Sequence, residues 1–151
     1  MPEDERQLGR TWFHRYVARI GIGIRRPRVE GTVYACPCCG YPTMDDRGGD
    51  LICLLCRWQD DGQDNPYEEE IWGGPNYSYS LEEARRNFQA HLSKYRLTDE
   101  ELFRREAAKN DRKRDLMEIY ERIRSTADDA KAAYLWEEAR ELYASLRRTI
   151  C

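Results

Sequence analysis

Two C-x-x-C units constrain this sequence more than any other feature. Cys36-Pro37-Cys38-Cys39-Gly40 and Cys53-Leu54-Leu55-Cys56 leave thirteen residues between Cys39 and Cys53. Two residues between cysteines let a loop fold back so that both sulfurs face one point, about 2.3 Å from a metal. Two such knuckles complete a tetrahedron, and this spacing is a strong zinc signal. Pro37 fixes φ inside the first loop, and Gly40 permits the turn that aims backbone amides at the sulfurs. The second knuckle has Arg57 where the first has Gly40. Cys36, Cys39, Cys53 and Cys56 are therefore the expected ligands of one structural Zn2+, a closed set with no position for water or substrate. Iron takes the same thiolate ligands, whereas a redox C-x-x-C wants a thioredoxin-like βαβ setting that is absent. Cys38 breaks the two-residue spacing and reads as a loop cysteine beside the metal; Cys151 reads as a solvent-facing thiol.

About forty residues around such a centre cannot bury enough apolar surface to fold alone, so the metal is expected to stabilise them. Thr32-Val33-Tyr34-Ala35 and Asp50-Leu51-Ile52 read as strands leading into the cysteine pairs, with a hairpin turn at Asp45-Asp46-Arg47-Gly48-Gly49. The expected fold class is α+β: a small zinc ribbon with an N-terminal helix and a C-terminal helical hairpin, mostly α by residue count. Residues 5–20 carry an apolar stripe (Leu8, Trp12, Phe13, Tyr16, Val17, Ile20) opposite four arginines, and are expected to pack as a helix on their own domain. Ser80 with Glu83 opens a helix to about Tyr95, and Thr98 with Glu101 opens a long one to about Arg124. A last helix follows Ser125 and Thr126, its seam made by Ala132, Leu135, Ala139, Leu142, Leu146 and Thr149. The charged stretch Arg104 to Asp115 reads as a solvated half of the hairpin. These features divide the chain into 1–31, 32–96 and 97–151.

Charge narrows the function classes. The net charge is -3, but it is unevenly spread. Residues 35–75 carry nine acids against Arg47 and Arg57, a net of -7, while residues 1–34 carry seven arginines against four acids. A zinc ribbon that binds nucleic acid needs a basic footprint, and this one has the opposite sign. Arg25, Arg26 and Arg28, or Arg112, Lys113 and Arg114, could touch phosphates, yet three-residue clusters are commonly just solvated faces. No catalytic motif of the hydrolase, phosphate-loop or metalloprotease kind is present, His14 and His91 lie in separate parts, and an all-sulfur metal cannot activate water. No uncharged run is long enough to span a bilayer. The chain opens Pro2, Glu3, Asp4, Glu5 rather than as a signal peptide, so the cytoplasm is the expected compartment.

The run Cys36-Pro37-Cys38-Cys39-Gly40-Tyr41-Pro42-Thr43 resembles the bacterial cysteine-rich CPCC family. So do Ile52-Cys53 with Cys56, Trp58-Gln59-Asp60-Asp61-Gly62-Gln63-Asp64, Trp72-Gly73-Gly74-Pro75-Asn76 and Ser80-Leu81-Glu82-Glu83-Ala84-Arg85. The likeness covers about residues 34–92. One departure is Leu54, where the family usually has a second proline. The resemblance implies a zinc-ribbon domain without catalysis, of a kind found near bacterial polymorphic toxins and acting there as immunity proteins. The expected function is non-enzymatic binding and blocking of a cognate toxin, with a zinc-ribbon nucleic-acid-binding or regulatory role as the alternative. A basic toxin domain is the expected partner, because the middle of the chain is acidic and carries aromatic residues suited to anchoring. Asp60, Asp61, Asp64, Glu68, Glu69, Glu70 and Trp72 are the candidate contacts, with Tyr67, Tyr77 and Tyr79 nearby; Trp58 is expected to pad the core.

Overall fold

In a computed structural model of the chain, the described residues are 24–25 and 32–147. The expected helix over 5–20, His14, Arg26, Arg28, Thr149 and Cys151 lie outside them. Four α-helices make up nearly all the regular structure: α1 (Leu81–His91), α2 (Glu100–Ala107), α3 (Asn110–Ser125) and α4 (Asp129–Ser145). Among the described residues the expected α+β class is thus corrected to all-α, with no ribbon sheet. Each knuckle is flanked by one isolated bridge, Tyr34 to Met44 and Ile52 to Gln59. Ile24–Arg25 and Thr32–Val33 pair over just two residues.

The missing sheet has a physical cause. Backbone groups that would extend a ladder are taken instead by side chains. Gly48 N–H donates to Asp60 at 2.6 Å, and Asn76 both accepts from Gln59 N–H at 3.0 Å and donates to Gln59 O at 2.7 Å. Positive φ at Gly48 (70°) and Asp50 (61°) also interrupts the extended run.

Ser80 caps α1 as the sequence predicts, its hydroxyl accepting from Glu83 N–H at 3.0 Å. The helix stops earlier than predicted, because Leu92 turns left-handed (φ 66°). The long helix predicted from Thr98 is two helices, broken at Ala108 and Lys109. The reason is an inward turn of charge. Glu106, Lys109 and Lys113 are buried, with Lys109 and Lys113 paired to Glu106 at 2.8 and 3.0 Å. Lys113 also donates to Leu92 O at 2.6 Å, closing the C-terminus of α1. The stretch read as solvated is therefore anchored inside the molecule. Asp128 caps α4 by accepting from Ala130 and Lys131.

One apolar cluster joins all these parts. The four cysteines, Cys38 and Trp58 share it with Leu81 and Phe88 of α1, Leu116 and Tyr120 of α3, and Trp136 of α4. Tyr41, next to the first knuckle, touches Phe88 edge-on at 6.2 Å and lies 5.8 Å from Tyr120. Removing one partner of a buried ion pair leaves an uncompensated charge and costs about 3–5 kcal/mol. Glu106→Gln strands two ammoniums and is expected to lower the unfolding free energy by about that amount in chemical denaturation. Glu101→Gln, which breaks an exposed pair with Arg105, is expected to change it by less than about 0.5 kcal/mol.

Candidate metal centre

The two knuckles repeat one another bond for bond. Gly40 N–H donates to Cys36 O at 2.9 Å, and Arg57 N–H donates to Cys53 O at 2.6 Å. Cys36 N–H then reaches Tyr41 O, and Cys53 N–H reaches Trp58 O, at 2.8 and 2.9 Å. Both turns need a left-handed residue at the same place: Gly40 has φ 80° and Arg57 φ 73°. Glycine takes that conformation freely, whereas Arg57 takes it at a cost of about 1 kcal/mol. That the second knuckle holds this shape without glycine indicates how firmly its surroundings fix it.

This geometry brings Cys36, Cys39, Cys53 and Cys56 together, all buried, with their sulfurs within 4.8 Å of one another. Cys36 and Cys56 sulfurs are 3.6 Å apart, and those of Cys39 and Cys53 3.7 Å. Four sulfurs at about 2.3 Å from a central ion would be about 3.8 Å apart. The donor set therefore fits a tetrahedral thiolate-bound metal, and the distances are too long for disulfides. Thr43 donates its hydroxyl to Cys53 Sγ at 3.0 Å, while Cys38 N–H and Trp58 N–H point at Cys36 and Cys56 sulfurs at 3.4 Å. Such donors orient the ligands and spread their charge. Cys38 is buried outside the set of four.

Electrostatics explains why a cation belongs here. Burial pushes the Cys36, Cys39 and Cys56 thiols well above the usual cysteine range. Burial opposes ionisation of Cys53 too, but hydrogen bonds from Cys36, Cys39, Cys56 and Thr43 pull it well below that range. Burial thus disfavours four thiolates side by side, and a metal is what lets all four ionise. A dication with four thiolates leaves -2, and three buried cations surround that charge. Arg85 donates to Pro37 O in the first knuckle at 2.9 Å. Lys94 N–H donates to Cys56 O at 2.8 Å, and its ammonium feels Cys56 and Cys38. Burial draws Lys113 below the usual lysine range, opposed by Glu106 and by Cys56.

Neither Arg85 nor Lys113 was read from sequence as an internal cation, yet each carried a signal. Arg85 sits beside Ala84 and between Leu81 and Phe88 on the face α1 buries, and Lys113 precedes Leu116 and Tyr120 by three and seven residues. A charge at a core-facing helical position is the readable sign.

The acidic candidates divide. Asp60 is fully buried, bonded to Arg47 Nε at 3.1 Å and to Gly48 N–H, and Glu68 is buried against Arg85 at 2.7 Å. Neither belongs to an open contact surface, which corrects their reading as partner contacts. Asp64 pairs with Arg47 at 2.9 Å, and Asp61 folds back onto Gln63. Glu69, Glu70 and Trp72 are exposed. Tyr79 is buried and bonded to Asp99; Tyr67 and Tyr77 are exposed, and Trp58 is in the core. Of the basic trio, Lys113 is internal, Arg112 bonds Ser145 O at 2.7 Å, and Arg114 lies exposed beside Asp111.

Comparison with family models matches residues 34–105 to Cysteine-rich CPCC. Residues 34–105 are thus a cysteine-rich CPCC segment, as the resemblance read from the sequence implies. The CPCC match reaches past α1 into α2, farther than the residues quoted from sequence alone, and leaves most of the helical hairpin outside it. Comparison with curated proteins and with solved structures gives no match. No helix among the described residues is long and apolar enough to cross a membrane.

Two outcomes are expected from this centre. Native mass spectrometry should find one metal ion per chain, lost in Cys53→Ser and retained in Cys38→Ser. Because burial pushes the Cys36, Cys39 and Cys56 thiols up and metal must displace their protons, acid competes with loading. Apparent metal affinity, read by chelator competition, should fall more than tenfold per unit of decreasing pH, since loading displaces more than one proton, and the stability that the metal confers falls with it.

Proposed function

We propose that the chain is a non-enzymatic, zinc-stabilised protein-binding module, acting as an immunity protein that blocks a basic bacterial toxin. The observation that carries the reading is the closed set of four buried sulfurs. Sulfur occupies every corner of the tetrahedron, so a bound ion has no place for substrate and its contribution is to the fold. An all-thiolate tetrahedral set suits zinc, a d10 ion with no redox chemistry of its own. The sign of the surrounding charge supports a basic partner over nucleic acid, since the described basic trio offers one exposed side chain rather than a phosphate-binding face.

Blocking by such a module needs no chemistry. Carboxylates at its surface accelerate encounter with a cationic protein and cover a site built for an anionic substrate. The test joins metal analysis to partner recovery. Purified chain should hold zinc, and tagged full-length chain drawn from its source cells should retain a basic toxin whose growth arrest it relieves on co-expression. Recovery of metabolic enzymes alone, or salt-sensitive retention of the chain on DNA columns, would overturn the toxin-blocking role.

A further inference from the structure

Protein interiors are close-packed, so a large cavity set against the core asks for an occupant. One of about 430 Å³ opens between the first knuckle and the helical hairpin. Pro42 and Thr43 form one wall, and Tyr120 of α3 with Trp136, Ala139 and Tyr143 of α4 form the others. The α4 residues follow from helical spacing, since 136, 139 and 143 lie three and four apart and share one face. Ala139 stands between the two rings in this stripe, and its small side chain leaves the room. The Tyr120 and Trp136 rings meet edge to face, 6.1 Å apart at 60°.

Two polar groups of the walls are already engaged. Thr43 gives its hydroxyl proton to Cys53 Sγ at 3.0 Å. The Tyr143 hydroxyl accepts from Leu54 N–H and donates to Ile52 O. A third group is not engaged. Trp136 is only 3% exposed, and its Nε1–H has no hydrogen-bond partner among the described residues. Buried donors in native structures are nearly always paired, so an orphaned one marks a missing acceptor. An indole nitrogen donates and never accepts, so the missing group is a carbonyl oxygen, a ring nitrogen or the like.

We infer that this cavity binds an uncharged, flat heteroaromatic small molecule whose acceptor edge meets Trp136 Nε1–H. The aromatic and aliphatic walls suit a flat apolar body. The exposed rim gives no preference for a net charge, because it carries both signs. Glu137 pairs there with Arg140 at 3.0 Å, and Asp45, Glu141 and Arg147 also line it. The volume lies in the range of small-molecule sites and is too small for a folded segment of a partner. The site adjoins the metal centre, since Thr43 and Tyr143 hold the second knuckle by the bonds just described. It stands independently of the toxin-blocking reading.

Metal-loaded full-length chain is titrated with 4-quinazolinone, which carries carbonyl and ring-nitrogen acceptors, and with naphthalene, of the same two-ring shape without them. The quinazolinone should bind saturably, at least about tenfold more tightly than naphthalene, because only it satisfies the buried donor. It should also move the Trp136 indole N–H proton signal downfield. Trp136→Phe keeps a ring in place and removes the donor, and should bring the two affinities to within about twofold of each other. Ala144 lines the cavity from an exposed position. Ala144→Trp should therefore abolish binding of both molecules and leave the melting curve unchanged. Absence of saturable quinazolinone binding, equal binding of naphthalene, a preference that survives Trp136→Phe, or binding unaffected by Ala144→Trp would overturn the site. Should Trp136→Phe fail to fold, the indole signal and Ala144→Trp decide alone.

Discussion

Four buried sulfurs meeting at one point set the terms for everything packed around them. Burial opposes ionisation of Cys36, Cys39 and Cys56 until a cation arrives, and the loaded centre then carries a charge of -2 that an apolar core cannot solvate. That charge has to be met from inside. Arg85 comes from α1, Lys94 from the connection after it, and Lys113 from α3. Each is held by its own acceptor: Glu68, Asn76 and Glu106. The charged residues buried in the helical part thus answer to the cysteine centre, which is why the core is continuous across what looked like separate segments.

The departures from the CPCC pattern make sense on the same footing. Proline at position 54 would have no N–H. Leu54 has one, and it donates to the Tyr143 hydroxyl of α4 at 3.0 Å. Tyr143 in turn reaches Ile52 O at 3.4 Å, so α4 clasps the second knuckle on both sides of Cys53. Burial pushes the Tyr143 hydroxyl far up, against the Leu54 hydrogen bond, so it stays a neutral donor and acceptor beside the thiolates. What the knuckle loses in local stiffness without proline, it regains from a helix eighty-nine residues away in sequence.

The four-cysteine cluster was legible because two-residue spacing is a local property, and so were the Ser80 cap and the α4 seam from Ala132 to Leu146. The sheet was not, because a strand pattern records which residues favour extension but not which side chains will claim their backbone groups. Asp60 and Asn76 claimed them here. The charged run from Arg104 to Asp115 misled for a related reason. Composition gives the number of charges, whereas direction comes only from register, and Glu106, Lys109 and Lys113 share the face of Leu116 and Tyr120. Asp60 and Glu68 looked like surface because their cations, Arg47 and Arg85, lie thirteen and seventeen residues away.

That last point bears on how a loop can be both acidic and fixed. If all six carboxylates between 60 and 70 faced water, their repulsion would loosen the loop and scatter its aromatic residues. Instead the inward carboxylates are spent as fasteners, each bound to a guanidinium or a backbone amide in surroundings where charge-assisted bonds are strong. The remaining ones can stay outside without loosening the backbone. The polarity of the underside is therefore what permits apolarity on top: Tyr67 and Trp72 need no burial of their own to be fixed, because Glu68, between them in sequence, is fixed for them by Arg85. Arg85 also holds the first knuckle through Pro37. A single buried guanidinium thus connects the order of the metal centre to the order of the exposed aromatic surface.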